Sequence, residues 1–240
     1  MARFFVNNIL QVGQEIELPN DVVRHISVLR VRITDNVTLF NGDGSDYLVT
    51  FIKLDKRGAI VRVLEQLVLN NESNLKITLM LAIIANDKMD LVIQKAVELG
   101  VTQIIPIYCQ NTQRFKMERL ANRIEHWQNI IIAASEQSGR AKLTKLDAPM
   151  AFNDSIQNCS ISHRYILSPH HAGHFQATNT QTNNEICILI GPEGGFTSVE
   201  VHYANNNGFN SVLLGQRILR AETAAIAAIS LLQSHYGDFN

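Results

Sequence analysis

The apolar pattern of this chain changes once, near residue 75, and that change limits the folds open to it. Before it, short apolar runs alternate with polar residues and are broken by turns, as in a small β structure. Arg3–Val6 and Glu15–Leu18 read as extended, and Asn41-Gly42-Asp43-Gly44 is a hairpin signal between Asn36–Phe40 and Asp46–Leu54. Asp55-Lys56-Arg57-Gly58 turns the chain into the Val/Ile-rich run Ala59–Leu67. One helix interrupts the strands; Asn20 or Asp21 can cap it, and Val22, Val23, Ile26 and Leu29 form its apolar side. A β-barrel with one helix is expected over 1–72, and Asn70–Asn74 reads as a linker.

From Lys76, strands and helices alternate to the end, which predicts a parallel sheet covered on both faces over 73–240. Ile77–Ala85 is a buried strand, Asp87–Leu99 a helix closed by Gly100, and Val101–Cys109 a second strand. Leu120, Ile124, Trp127, Ile131 and Ala134 then line one face of a long helix. Arg164–Leu167, Ile186–Ile190 and Ser211–Leu214 are further strands, with a helix from Thr197 and an Ala-rich helix to Tyr236.

Several function classes are disfavoured. Met1–Asn8 breaks into asparagine before an apolar signal core can form, and Ile77–Ala85 is far short of the ~20 residues of a membrane span. Cys109, Cys159 and Cys187 are odd in number and widely spaced, which fits reduced thiols in a cytoplasmic protein. His170 and His174 in Ser168–His174 have no neighbouring carboxylate or cysteine, so no metal site is expected.

In open α/β sheets, ligands bind beyond the carboxyl ends of the strands. After Ile190 comes Gly191-Pro192-Glu193-Gly194-Gly195-Phe196, followed by the capping box Thr197-Ser198-Val199-Glu200. This loop is either a backbone surface for a flat ligand or simply a tight turn. It is neither GxGxxG nor a P-loop, so a pyrophosphate cofactor is disfavoured. After Leu214, Arg217 and Arg220 crowd a helix start, where the macrodipole disfavours cations. They point to an anionic partner or to an ion pair with Glu222 or Glu193.

The net charge is -1, so any nucleic-acid site must be local. Between Arg114 and Lys145, seven Lys or Arg stand against three Glu, and Lys116, Arg119, Arg123 and His126 form a stripe at helical spacing. Arg24, His25, Arg30 and Arg32 form a second cluster. One cluster alone fits a solvated face as well as a phosphate track; two favour RNA.

Four segments in order carry a resemblance: Lys88-Met89 with Gln94-Lys95 and Glu98-Leu99-Gly100; Glu136-Gln137-Ser138-Gly139-Arg140; Ile190–Phe196; and Leu214-Gly215 through Arg217-Ile218-Leu219-Arg220 to Glu222-Thr223-Ala224. Together they resemble the ribosomal RNA small subunit methyltransferase E family. The resemblance implies methylation of N3 of a uridine in 16S ribosomal RNA with S-adenosylmethionine. It also implies a knotted SPOUT-class α/β domain behind a PUA-like RNA-binding domain, a C-terminal trefoil knot and a homodimer. The cofactor would lie across Leu167, Pro169, Ile190, Gly191, Glu193, Gly195, Leu214, Gly215, Ile218 and Leu219, with Thr223 closing the site. Arg220 is the expected anion stabiliser, and Glu193 or Glu222 the candidate general base. Arg24, Arg30, Arg32, Arg114, Lys116, Arg119, Arg123 and Arg140 are the expected RNA contacts, on small-subunit RNA within an assembled subunit. The chain departs from the family at Gln110-Asn111, where Glu-Arg is usual, at Gln216 and at Ala221; Arg114 is a substitute for the missing arginine. Two alternatives remain open: a SPOUT enzyme for another RNA, and a non-catalytic RNA-binding or assembly protein.

Overall fold

The computed structural model describes residues 2–55, 58–112, 120–168, 173–174 (backbone) and 184–239. They form two compact units, one of residues 1–72 with 132–143 and one of 73–131 with 144–240. The segment 132–143, which the sequence reading places in the second domain, thus clusters with the first.

The first unit contains β1 (Arg3–Phe5), β2 (Glu15–Glu17), α1 (Asn20–Val28), β3 (Asn36–Phe40), β4 (Ser45–Asp55) and β5 (Gly58–Val68). The sheet is mixed, in the order β1-β3-β4-β5-β2, with only the β1–β3 pair parallel. The period-2 pattern turns Tyr47, Val49 and Phe51 of β4 and Ala59, Val61 and Val63 of β5 into one core with Val22, Val23 and Ile26 of α1. Asp43 organises the β3–β4 turn: one carboxylate oxygen accepts the Ser45 N–H at 2.8 Å, the other the Tyr47 hydroxyl at 2.6 Å. Neither Asn20 nor Asp21 caps α1. The Pro19 carbonyl already accepts the Val23 N–H, which puts both residues inside the first turn. Arg3 ties 132–143 to this sheet: it pairs in a fork with Asp46 at 2.7 Å, donates to the Ser135 carbonyl at 2.8 Å and lies over the Phe40 ring.

The second unit contains β6 (Lys76–Ala82), α2 (Asn86–Glu98), β7 (Gln103–Tyr108), most of α3 (Leu120–Ser138), β8 (Lys145–Leu146), β9 (Met150–Ala151) and α4 (Phe152–Gln157). It continues with β10 (His163–Leu167), β11 (Gly173–His174), β12 (Glu185–Ile190), α5 (Ser198–Asn206), β13 (Asn210–Leu213) and α6 (Ala221–Tyr236). The sheet runs β11-β13-β10-β12-β6-β7-β8, with β9 also on β7, and every described pair is parallel. Its central strands, β6 and β12, are nearly continuous apolar runs, as burial on both faces requires. On α3, Trp127, Ile131 and Ala134 are buried as the periodicity predicts.

Helix α6 packs on α2, and Ala225 and Ala228 of α6 are buried. At the end of α2, Gly100 has φ +80°, and a Cβ there would meet the Gln233 amide at 2.7 Å. Glycine therefore serves twice, as the left-handed helix stop and as the gap that admits Gln233, whose amide donates to the Leu99 carbonyl at 2.8 Å.

Candidate active site

A cavity of about 630 Å³ lies beyond the carboxyl ends of β10, β12 and β13, walled by the loops that follow β12 and β13. Apolar side chains of Leu167, Ile190, Leu214, Ile218 and Leu219 line it beside the polar groups of Lys88, Glu193, Arg217 and Arg220. Ile218 stands at its rim, 86% exposed.

The glycine loop has a built shape. Gly195 donates its N–H to the Pro192 carbonyl at 2.8 Å and takes φ +67°, a region that side chains other than glycine rarely adopt. Space around a Cβ there is open to 4 Å, so the backbone faces the cavity uncovered. The Asn111 amide donates to the carbonyls of Gly194 and Gly195 at 3.2 and 3.1 Å. Downstream, Thr197 caps α5 and forms the predicted box with Glu200. The second Glu200 oxygen accepts the Gln110 N–H at 2.8 Å. Gln110-Asn111, noted as a departure from the family pattern, thus braces the loop from its far side.

Glu193 has a defined task. Its Oε1 accepts the Ala85 N–H at 3.2 Å, an orphan donor at the start of α2, and Lys88 approaches at 3.5 Å. Burial pushes its carboxyl upward, but its own N–H, that of Ala85 and the Lys88 ammonium together hold it below the usual carboxylate range. It is an ionised cap and a weak base.

Arg220 is the N-cap residue of α6, exposed, and makes no side-chain cap hydrogen bond. Among the described residues neither Arg217 nor Arg220 has a hydrogen-bond or ion-pair partner, so the expected alternative, pairing with Glu193 or Glu222, does not form. Glu222 does not line the cavity, and its buried Oε2 has no partner among the described residues. Gly215 and Thr223 also lie outside the lining. Pro169, His170, Arg114, Lys116 and Arg119 are outside the described residues, as is the His174 side chain. Lys88, Ser168 and Phe196 line the cavity without having been singled out for it. A signal for Lys88 existed, since it is a cation in the first turn of a helix.

Of the expected RNA contacts, Arg24, Arg30 and Arg32 are exposed on the first unit. Arg123 is half-buried and engaged. Arg140 is a correction: it is 5% exposed and forks onto Glu72 at 2.7 and 3.1 Å, a structural pair inside the first unit.

Residues 71–233 match the family model of the RNA methyltransferase domain, and residues 18–64 that of the RNA methyltransferase PUA domain. The chain is 33% identical to the ribosomal RNA small subunit methyltransferase E of Mesomycoplasma hyopneumoniae, over 94% of this chain and 96% of that one. It is 34% identical to that of Rickettsia conorii, over 97% and 96%. The crystal structure of the Neisseria gonorrhoeae ribosomal RNA small subunit methyltransferase E bound to S-adenosyl methionine superposes with a TM-score of 0.94, at 38% identity over 100% of both chains. A methyltransferase of Legionella pneumophila in complex with its cofactor SAM superposes with a TM-score of 0.93, at 34% identity over 99% of both chains.

Proposed function

The chain belongs to the ribosomal RNA small subunit methyltransferase E family, and from that premise we propose that it methylates N3 of a uridine in small-subunit (16S) ribosomal RNA. As a member of the family it is an RNA methyltransferase with S-adenosylmethionine as its cofactor. One observation carries the reading: the loops after β12 and β13 bring an uncovered glycine backbone, and an arginine that has no partner among the described residues, into one cavity.

The residues present fit the cofactor. The space left open at Gly195 admits a flat adenosine, and Leu167, Ile190, Leu214, Ile218 and Leu219 supply apolar walls for it. S-adenosylmethionine supplies a methyl group on a sulfonium, which leaves without acid catalysis. The protein is left with two tasks: to align the nucleobase, and to stabilise the uracil anion that forms when its N3 proton departs. Arg220 performs the second, its guanidinium fork meeting the carbonyl oxygens onto which that charge spreads. Glu193 holds Lys88 and the start of α2 in place. Solvent takes the proton, so the rate rises with pH toward the nucleobase pKa.

The first unit is the RNA-binding, PUA-like part, with Arg24, Arg30 and Arg32 contacting phosphates of an assembled subunit. The C-terminal part of the second unit forms a trefoil knot around the cofactor site, and two copies associate as a cytoplasmic homodimer. Purified protein incubated with methyl-labelled S-adenosylmethionine and small subunits that lack the modification tests the reading. Label recovered as N3-methyluridine supports it; label on a ribose hydroxyl, on another base or on no nucleoside overturns it.

A further inference from the structure

Outside the cofactor cavity, the second unit carries a cluster of sulfur and positive charge. Cys159 follows α4 and Cys187 lies in the middle of β12, and both belong to one buried cluster. Both lie beside one arginine of the neighbouring strand. Arg164 of β10 is the cross-strand partner of Cys187 and donates to the Cys159 carbonyl at 2.8 Å. Among the described residues its buried Nε has no hydrogen-bond partner. The Cys159 sulfur thus has the Cys187 thiol, the Ile161 N–H and the Arg164 guanidinium around it. Donors converging on one sulfur stabilise a thiolate.

A route to that sulfur exists. Cys159 lines a second cavity, of about 400 Å³, at the amino ends of β6, β7 and β12, and its chain neighbours Asn158 and Ser160 are exposed. The walls are mixed, with Thr78, Gln103 and Glu185 beside Met80, Ile105 and Met150. A small polar oxidant can enter such a space.

We propose that Cys159 and Cys187 are a peroxide-sensitive thiol pair, with Cys159 the attacking sulfur and Cys187 the resolving one. The Cys159 thiolate attacks hydrogen peroxide; an S–O bond forms, the O–O bond breaks, and protonated hydroxide leaves as water. The Cys187 sulfur then attacks the sulfenic acid and closes a disulfide, its proton leaving with the hydroxyl as a second water. Two thiols are oxidised and one peroxide is reduced to two waters. Access assigns the roles: Cys159 lines the cavity, whereas Cys187 is fully buried. The Cys187 thiol first, then the Ile161 N–H and Arg164, pull Cys159 down against the effect of burial, while the contact with Cys159 and burial push Cys187 up. Cys109 is a built-in control, since burial and the Glu200 carboxylate push it up to about 12.

The test is peroxide treatment of the full-length protein, followed by thiol alkylation and peptide mass spectrometry. The expected result is loss of two hydrogens, a Cys159–Cys187 disulfide and an alkylated Cys109. Cys187→Ala should leave a dimedone-trappable sulfenic acid on Cys159, and Cys159→Ala should abolish oxidation of Cys187. Should either variant fail to fold, alkylation of the wild-type protein decides, with Cys159 reacting at lower pH than Cys109. Preferential oxidation of Cys109, retention of all three thiols, or Cys159 alkylation no easier than that of Cys109 would overturn the proposal.

Discussion

Arg220 is at once a structural liability and the proposed anion stabiliser, so its removal should move stability and activity in opposite directions. As N-cap of α6 it places a cation at the positive end of a helix dipole, which costs about 0.3–1 kcal/mol at an exposed site. It also gives the helix no side-chain cap. Arg220→Ala should therefore raise the unfolding free energy by a few tenths of a kcal/mol to about 1. Arg220→Asn should add a further ~1 kcal/mol through capping. Single-turnover methyl transfer at saturating cofactor should fall about a hundred- to a thousand-fold in both, equivalent to roughly 2.7–4 kcal/mol of transition-state stabilisation. The deficit should shrink as pH rises, because the uracil anion then forms without help. Arg220→Lys should recover only part of the rate, since a point charge lacks the fork. Denaturant unfolding, cofactor calorimetry and single-turnover kinetics read the three quantities separately. A less stable Arg220→Ala protein, a lost cofactor site or near-normal turnover would refute the reasoning.

Four further outcomes are expected. Gly195→Ala should cost about 1–2 kcal/mol from its left-handed φ, and Gly195→Val should in addition fill the open space, so calorimetry should register weaker cofactor binding than the melting shift explains. Arg140→Ala should destabilise the protein by roughly 3 kcal/mol, because it leaves the largely buried Glu72 carboxylate unpaired, and should leave the salt dependence of RNA binding unchanged. Arg24→Ala with Arg32→Ala should instead flatten that dependence, the slope of log K against log salt falling by about one per lost phosphate contact. Glu136 is pushed up by burial, against the pull of the Phe5 N–H, His25 and Arg3, so the folded state binds its proton more readily than the unfolded chain and stability falls as pH rises through the folded-state pKa. Glu136→Gln should keep the Phe5 hydrogen bond and flatten that fall in melting curves taken across the carboxylate range.

What the sequence reveals depends on how local the determinant is. The Asn41–Gly44 turn, the stop at Gly100, the box at Thr197 and the buried stripe of α3 need only neighbours within four residues, and each is visible in the chain. The start of α1 is equally local but sensitive to one position, and the Pro19 carbonyl claims the cap from Asn20 and Asp21. Strands such as β8 and β9 span two residues each, too short to show a period. At the site, Arg220 stands out because it breaks a rule of helix electrostatics. The task of Glu193 is set by Ala85 and Lys88, more than a hundred residues away, and that of Asn111 by Gly194 and Gly195. The basic run from Arg114 to Lys145 misled at Arg140, because charge counting cannot see that Glu72 waits at the end of the fork.

Whether this cavity modifies a uridine of small-subunit RNA with Arg220 as its anion stabiliser is read by nucleoside mass spectrometry of that RNA. RNA from a deletion strain should lack N3-methyluridine, the wild-type gene should restore it fully, and an Arg220→Ala gene expressed to the same level should restore little. N3-methyluridine persisting in the deletion strain, or full restoration by the Arg220→Ala gene, would contradict the account.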